Sequence, residues 1–190
     1  LPFAKRKRFQ IVFMGHILNK QGLDVVIESL PGIVKRIPRV TLVVMGTGEY
    51  EDHLKKLVKK LKIEDRVTFT GYVESHEEIE EELARSALAI AMYKPDSNSF
   101  TNWADPGKLK NYLAAGLPIV LTSVPWIAKE IEKARCAVIC EYKVESFSQA
   151  VLKILLDDVT MQEYSRNATE FSKRFDWNDV FASALNQTID

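Results

Sequence analysis

One unit recurs along this chain: a short apolar run, a loop, then a stretch with helical periodicity. The apolar runs fall at residues 10–15, 40–45, 67–70, 87–92, 119–121 and 136–140. Helical segments at 24–36, 49–62, 75–85, 105–116, 125–133, 146–156 and 160–173 lie between and after them. The runs are apolar throughout instead of alternating, the pattern of strands buried on both faces. Such strands alternating with helices predict a parallel sheet with right-handed crossovers. The expected fold is α/β: a doubly wound parallel sheet of about six strands with helices on both faces, plus C-terminal helices, the last at 177–185.

A Rossmann-like sheet of this kind binds ligands past the C-terminal ends of its strands, where strand order reverses. The loops there are Gly15-His16-Ile17-Leu18-Asn19-Lys20-Gln21-Gly22, then Gly46-Thr47-Gly48, then Gly71-Tyr72-Val73, then a long polar loop over 93–104. A glycine closes each of the first three strands, which suits close backbone approach to a ligand. The loop at 93–104 is longer than most connections in a compact domain, and such loops are often functional.

The segment 105–116 has both ends marked. Asp105 suits the N-cap and Pro106 the first helical position. Gly116 suits the left-handed closing residue, and Pro118 stops the helix. The first turn of such a helix attracts anions, and Lys108 adds a full charge there. Asn111 lies one turn on, about 4.5 Å along the axis. A cation followed by a neutral hydrogen-bonding side chain suits a phosphate followed by a sugar hydroxyl. Asp105 would compete with the anion.

Lys plus Arg equals Asp plus Glu at 26 each, so charge gives no support to wholesale nucleic-acid binding. No run is long enough to span a membrane and no signal peptide is recognisable, so a cytoplasmic setting is expected. Cys136 and Cys140 read as buried thiols on one strand face. His53 and His76 read as surface residues, and Trp126 as packing. Residues 1–9, with the basic run Lys5-Arg6-Lys7-Arg8, read as a solvated linker or a cut end.

The run Pro106-x-Lys108-Leu109-x-x-Tyr112-Leu113-Ala114-Ala115-Gly116-x-Pro118-Ile119-Val120 resembles a signature in the nucleotide-sugar-binding half of retaining glycosyltransferases with the two-domain GT-B fold, the group 1 glycosyltransferases. Gly15 and Gly22 with Asp24, Gly46-x-Gly48, and Val67-x-Phe69-x-Gly71-x-Val73 follow in the family's order. The match covers about residues 10–140, and Phe175-Asp176-Trp177 is similar to the start of the family's closing helix.

The resemblance implies a donor site. Gly15 and its loop would lie against the diphosphate, with Gly46 and Gly48 beside them. Gly71, Tyr72 and Val73 would border the base. Lys108, Leu109 and the amides around them would face the phosphates, and Asn111 the ribose. Four positions depart from the family. His16 and Gln21 stand where the family has arginine and lysine, with Lys20 adjacent as a possible substitute. Asn111 and Trp103 stand where it has glutamates. A hydrogen bond to a charged group contributes about 1.5–3 kcal/mol and a neutral one about 0.5–1.5, so asparagine would weaken ribose binding roughly tenfold. Losing two cations bears on charge that grows in the transition state.

The leading expectation is the donor-binding half, residues 10–174, of a retaining glycosyltransferase that moves a sugar from a nucleotide diphosphate sugar to an acceptor. No cofactor or metal is expected. Residues 175–190 would pack on an N-terminal domain holding the acceptor site and most catalytic groups, and the isolated chain would be inactive. Membrane contact would come only through that other part. The rival expectations are a degenerate nucleotide-binding or partner-docking module, and a nucleotide-sugar epimerase on the same scaffold.

Overall fold

A computed structural model describes residues 5–96 and 107–175 of the 190. Trp103, Asp105, Pro106 and the segment 177–185 lie outside the described residues. Strands β1 (Gln10–Met14), β2 (Thr41–Met45), β3 (Val67–Gly71), β4 (Leu88–Ala91), β5 (Ile119–Leu121) and β6 (Ala137–Ile139) form one sheet in the order β3-β2-β1-β4-β5-β6. All its ladders are parallel. Strand order runs outward from the middle in both directions, so the switch point lies between β1 and β4.

Helices α1 (Leu23–Arg36), α2 (Glu51–Leu61), α3 (His76–Arg85), α4 (Gly107–Ala114), α5 (Ala128–Lys133), α6 (Val144–Leu155) and α7 (Asp158–Ser172) cover the sheet. Leu30, Leu54 and Ile154 from α1, α2 and α6 bury one face together with Ile11, Phe13 and Val44. Leu83, Leu109 and Ile131 from α3, α4 and α5 bury the other with Val12, Ala89 and Leu121. Helix α7 bridges the layers, placing Met161 and Tyr164 in the first core and Ala168 in the second. The expected doubly wound sheet is therefore present, with its strands apolar because both faces are covered.

Two expectations about the strands need correction. Strand β3 is not buried throughout: it is an edge strand, and Thr68 and Thr70 face solvent while Val67 and Phe69 pack inward. Cys136 and Cys140 are buried free thiols, but they enter opposite cores. The strand between them is three residues long and follows Arg135 at φ 55°, so the alternation that would align them does not reach Cys136.

The closing of α4 follows the sequence reading. Gly116 has φ 65°, its N–H donates to Leu113 O, and the Leu117 N–H donates to Tyr112 O. This pair of bonds is a Schellman motif. The Arg6 guanidinium donates to the carbonyls of Ala115 and Gly116 at 3.0 Å each, and Ser165 Oγ donates to Gly116 O at 2.7 Å. Arg6 thus docks on a helix C-terminus, where a cation is favoured, and is not a solvated linker residue.

Candidate donor-nucleotide site

The loops after β1, β2 and β3 are tied edge to edge by their own backbones. Gly15 N–H donates to Met45 O, Ile17 N–H to Thr47 O, and Gly46 N–H to Gly71 O, each at 2.9 Å. A Cβ built on Gly46 would lie 2.0 Å from Gly15 O, and one on Gly48 would lie 2.2 Å from Ile17 O. These glycines are needed first for loop-on-loop packing. The close approach expected toward a ligand is taken by protein backbone at Gly46 and Gly48, and the amides of Gly15 and Gly46 are already engaged.

Over these loops lies a cavity of about 210 Å³ whose walls include Gly15, His16, Gly46, Tyr72, Val73 and Ile79. Tyr72 is 77% exposed at its rim. A second cavity of about 410 Å³ runs between α3 and α4, with Asn111, His76 and Glu80 in its walls. Ile79 lines both, so the two adjoin. Asn111 therefore opens into the second cavity and not into the glycine-lined one. His76 and His53 are exposed, as the surface reading expected; His76 also forms a wall of that same space, and His53 stacks on Tyr50 with centroids 4.5 Å apart. Trp126 is 51% exposed, so it is not simply packing.

The switch point brings α4 against the end of β1. Tyr112, fully buried, accepts a hydrogen bond from Met14 N–H at 2.8 Å. One turn earlier, Lys108 points inward. Its Nζ donates to Gln21 Oε1 at 2.6 Å and sits 4.2 Å from the Phe13 ring centroid and 5.3 Å from that of Tyr93. A Cβ on Gly15 would lie 3.2 Å from that same Nζ. The two sequence positions 108 and 21, 87 residues apart, are thus one unit at the β1 loop. Lys20 is exposed in the turn at Asn19–Gln21, beside Gln21, whose side chain is the one that meets the Lys108 ammonium. Leu109 faces the core, so only its backbone could serve a ligand.

Burial removes water from the Lys108 ammonium, and no carboxylate among the described residues replaces it. Desolvation lowers its pKa to about 7, with the two ring faces as partial compensation. The neighbouring Tyr93 hydroxyl is buried without a hydrogen-bond partner among the described residues, and burial pushes its pKa up. Phe13 and Tyr93 were not singled out by sequence, and Tyr112 stood only within the signature run, with no role given to it. Only Tyr112, at i+4 from Lys108 on the same helix face, carried a signal that could have found it.

The profile of the family described as "Glycosyl transferases group 1" matches residues 2–171. The chain belongs to that family. The poly(glycerol-phosphate) alpha-glucosyltransferase of Bacillus subtilis (strain 168) is 23% identical over 189 residues, covering 97% of this chain and 27% of the relative. Among solved structures, a point mutant of S. aureus TarM in complex with fondaparinux, alpha-GlcNAc-glycerol and UDP superposes with a TM-score of 0.78 at 16% identity, over 97% of this chain and 36% of TarM. The C-terminal domain of the group 1 protein LpcC from Francisella tularensis gives 0.74 at 14% identity, over 90% of this chain and 87% of that one. These superpositions show the group 1 chain's fold. It spans about a quarter of the length of the B. subtilis relative.

Proposed function

We propose that this chain is the donor-binding half of a retaining glycosyltransferase, with the nucleotide diphosphate set on the β1 loop beside Lys108. One observation carries the reading: the α4 cation and the first glycine loop converge at the switch point of the sheet, where doubly wound folds take their ligands. The adjoining cavities give a nucleoside two places to lie, one walled by Tyr72 and Val73 and one by Asn111. The UDP named with TarM supports a nucleotide ligand for this fold. In this reading an N-terminal domain supplies the acceptor site and most catalytic groups, and residues 175–190 pack on it. Transfer then requires the longer protein.

The inward, weakly basic Lys108 also favours a second reading, a degenerate module that keeps the scaffold and binds no donor. Amide chemical shifts distinguish the two. Addition of UDP or GDP should move the signals of Gly15, His16, Gly46 and Tyr72. A folded chain whose shifts stay fixed with both, or move only elsewhere, would favour the degenerate module.

A further inference from the structure

The edge of the sheet opposite the glycine loops carries an arrangement that the donor site does not use. Strands β1 and β2 begin there, α1 and α6 end there, and α7 begins there. A groove of about 190 Å³ at this edge has Lys7, Arg8, Arg39 and the Phe9 ring among its walls. The Arg8 and Arg39 guanidinium carbons sit 4.9 and 5.2 Å from the Phe9 centroid, so two like charges share one ring. Lys35 and Arg36 are exposed in the last turn of α1, a few residues before Arg39.

Beside this basic cluster stand two exposed aliphatic side chains on the α6–α7 turn, Leu156 at 52% and Val159 at 77%. The acids of that turn are occupied. Asp157 caps α7, accepting from the N–H groups of Val159 and Thr160, and Asp158 pairs with Arg8. Glu82 pairs with Lys7 and Asp65 with Arg66, which in turn donates to Pro38 O. Among the described residues, Lys35, Arg36 and Arg39 have no carboxylate partner. The chain has no net charge overall, yet this edge holds uncompensated cations flanked by solvent-facing aliphatics.

We infer that this edge rests on an anionic bilayer surface, with Lys35, Arg36 and Arg39 at the level of the lipid phosphates and Leu156 and Val159 inserted between headgroups. Charge complementarity and the paired aliphatics select this occupant: a soluble polyanion would use the cations and gain nothing from exposed leucine and valine. The donor site then faces away from the membrane. This replaces the expectation that membrane contact comes only through another part of the protein, and it does not depend on the proposed donor.

The test is flotation of the purified 190-residue chain with vesicles of phosphatidylcholine alone and of phosphatidylcholine with phosphatidylglycerol. Binding is expected only to the anionic vesicles. Each neutralisation, Arg36→Gln and Arg39→Gln, should weaken it about fivefold, from the roughly 1 kcal/mol that a basic residue contributes near such a surface. Leu156→Ser with Val159→Ser should weaken it at unchanged charge. All four positions are exposed, so the variants are expected to fold, and circular dichroism checks this. A folded chain that ignores anionic vesicles overturns the proposal. So does binding that survives the charge changes, or binding indifferent to the serine pair, the latter pointing to a soluble acidic partner.

Discussion

The Nζ of Lys108 donates to Gln21 Oε1 at 2.6 Å, so a helix that starts past β4 is clamped to the loop after β1. The bond spans the switch point of the sheet. It holds a cation in a space roofed by Phe13 and Tyr93, where its charge is poorly solvated.

Removing the charge should stabilise the empty chain. The folded Lys108 titrates near 7, far below an ordinary lysine. Between about 7 and the ordinary lysine range the unfolded chain holds a proton that the folded chain has released, so stability rises with pH across that window. Below about 7 both states are protonated and the buried cation exerts its full cost. Lys108→Met should raise stability near neutral pH by about 1–4 kcal/mol, the range seen when buried charge gives way to apolar packing. It should also flatten the rise above neutrality, as measured by urea unfolding at several pH values. An unchanged pH slope would show that Lys108 is not the group responsible.

Tyr112→Phe should cost about 1–3 kcal/mol, because the N–H of half-buried Met14 loses the partner that the buried Tyr112 supplies. The same change should loosen the end of β1, read as faster amide exchange at Met14 and Gly15. Exchange unaltered there would mean the bond does not hold the loop.

Two glycines should respond in opposite directions. Gly46 has φ 128° and its built Cβ would collide with Gly15 O, so Gly46→Ala should destabilise by several kcal/mol, about 3 or more. Gly32 lies inside α1 with nothing within 4 Å of a built Cβ, so Gly32→Ala should stabilise by about 0.5–1 kcal/mol. Thermal melts of the pair check both. Similar effects in the two variants would contradict the loop-packing role of Gly46.

Much of the fold was legible because burial on both faces writes itself into continuous apolar runs such as Ile11-Val12-Phe13 and Leu42-Val43-Val44. Gly116 announced a helix end in the same way, and it does adopt the left-handed conformation that closes α4. The site was less legible. Lys108 could be placed in a first turn, but whether its ammonium faced solvent or Gln21 depended on a partner 87 residues away. Gly46 was read as room for a ligand when its space is filled by Gly15, a contact made only once two loops are brought side by side. Arg6 looked like part of a solvated run because its partners, the last carbonyls of α4, are created by folding.

The most direct test of the account is calorimetric titration of the chain and of Lys108→Met with UDP, GDP and ADP, at pH about 7 and about 9. An incoming diphosphate favours the protonated ammonium, so binding should draw a proton onto Lys108. The account predicts that one nucleotide binds the unmodified chain in the micromolar to low millimolar range. That affinity should fall toward pH 9, and Lys108→Met should bind weakly at both values. Equal affinity in the two proteins, an affinity that does not change with pH, or no binding by a folded chain would contradict it.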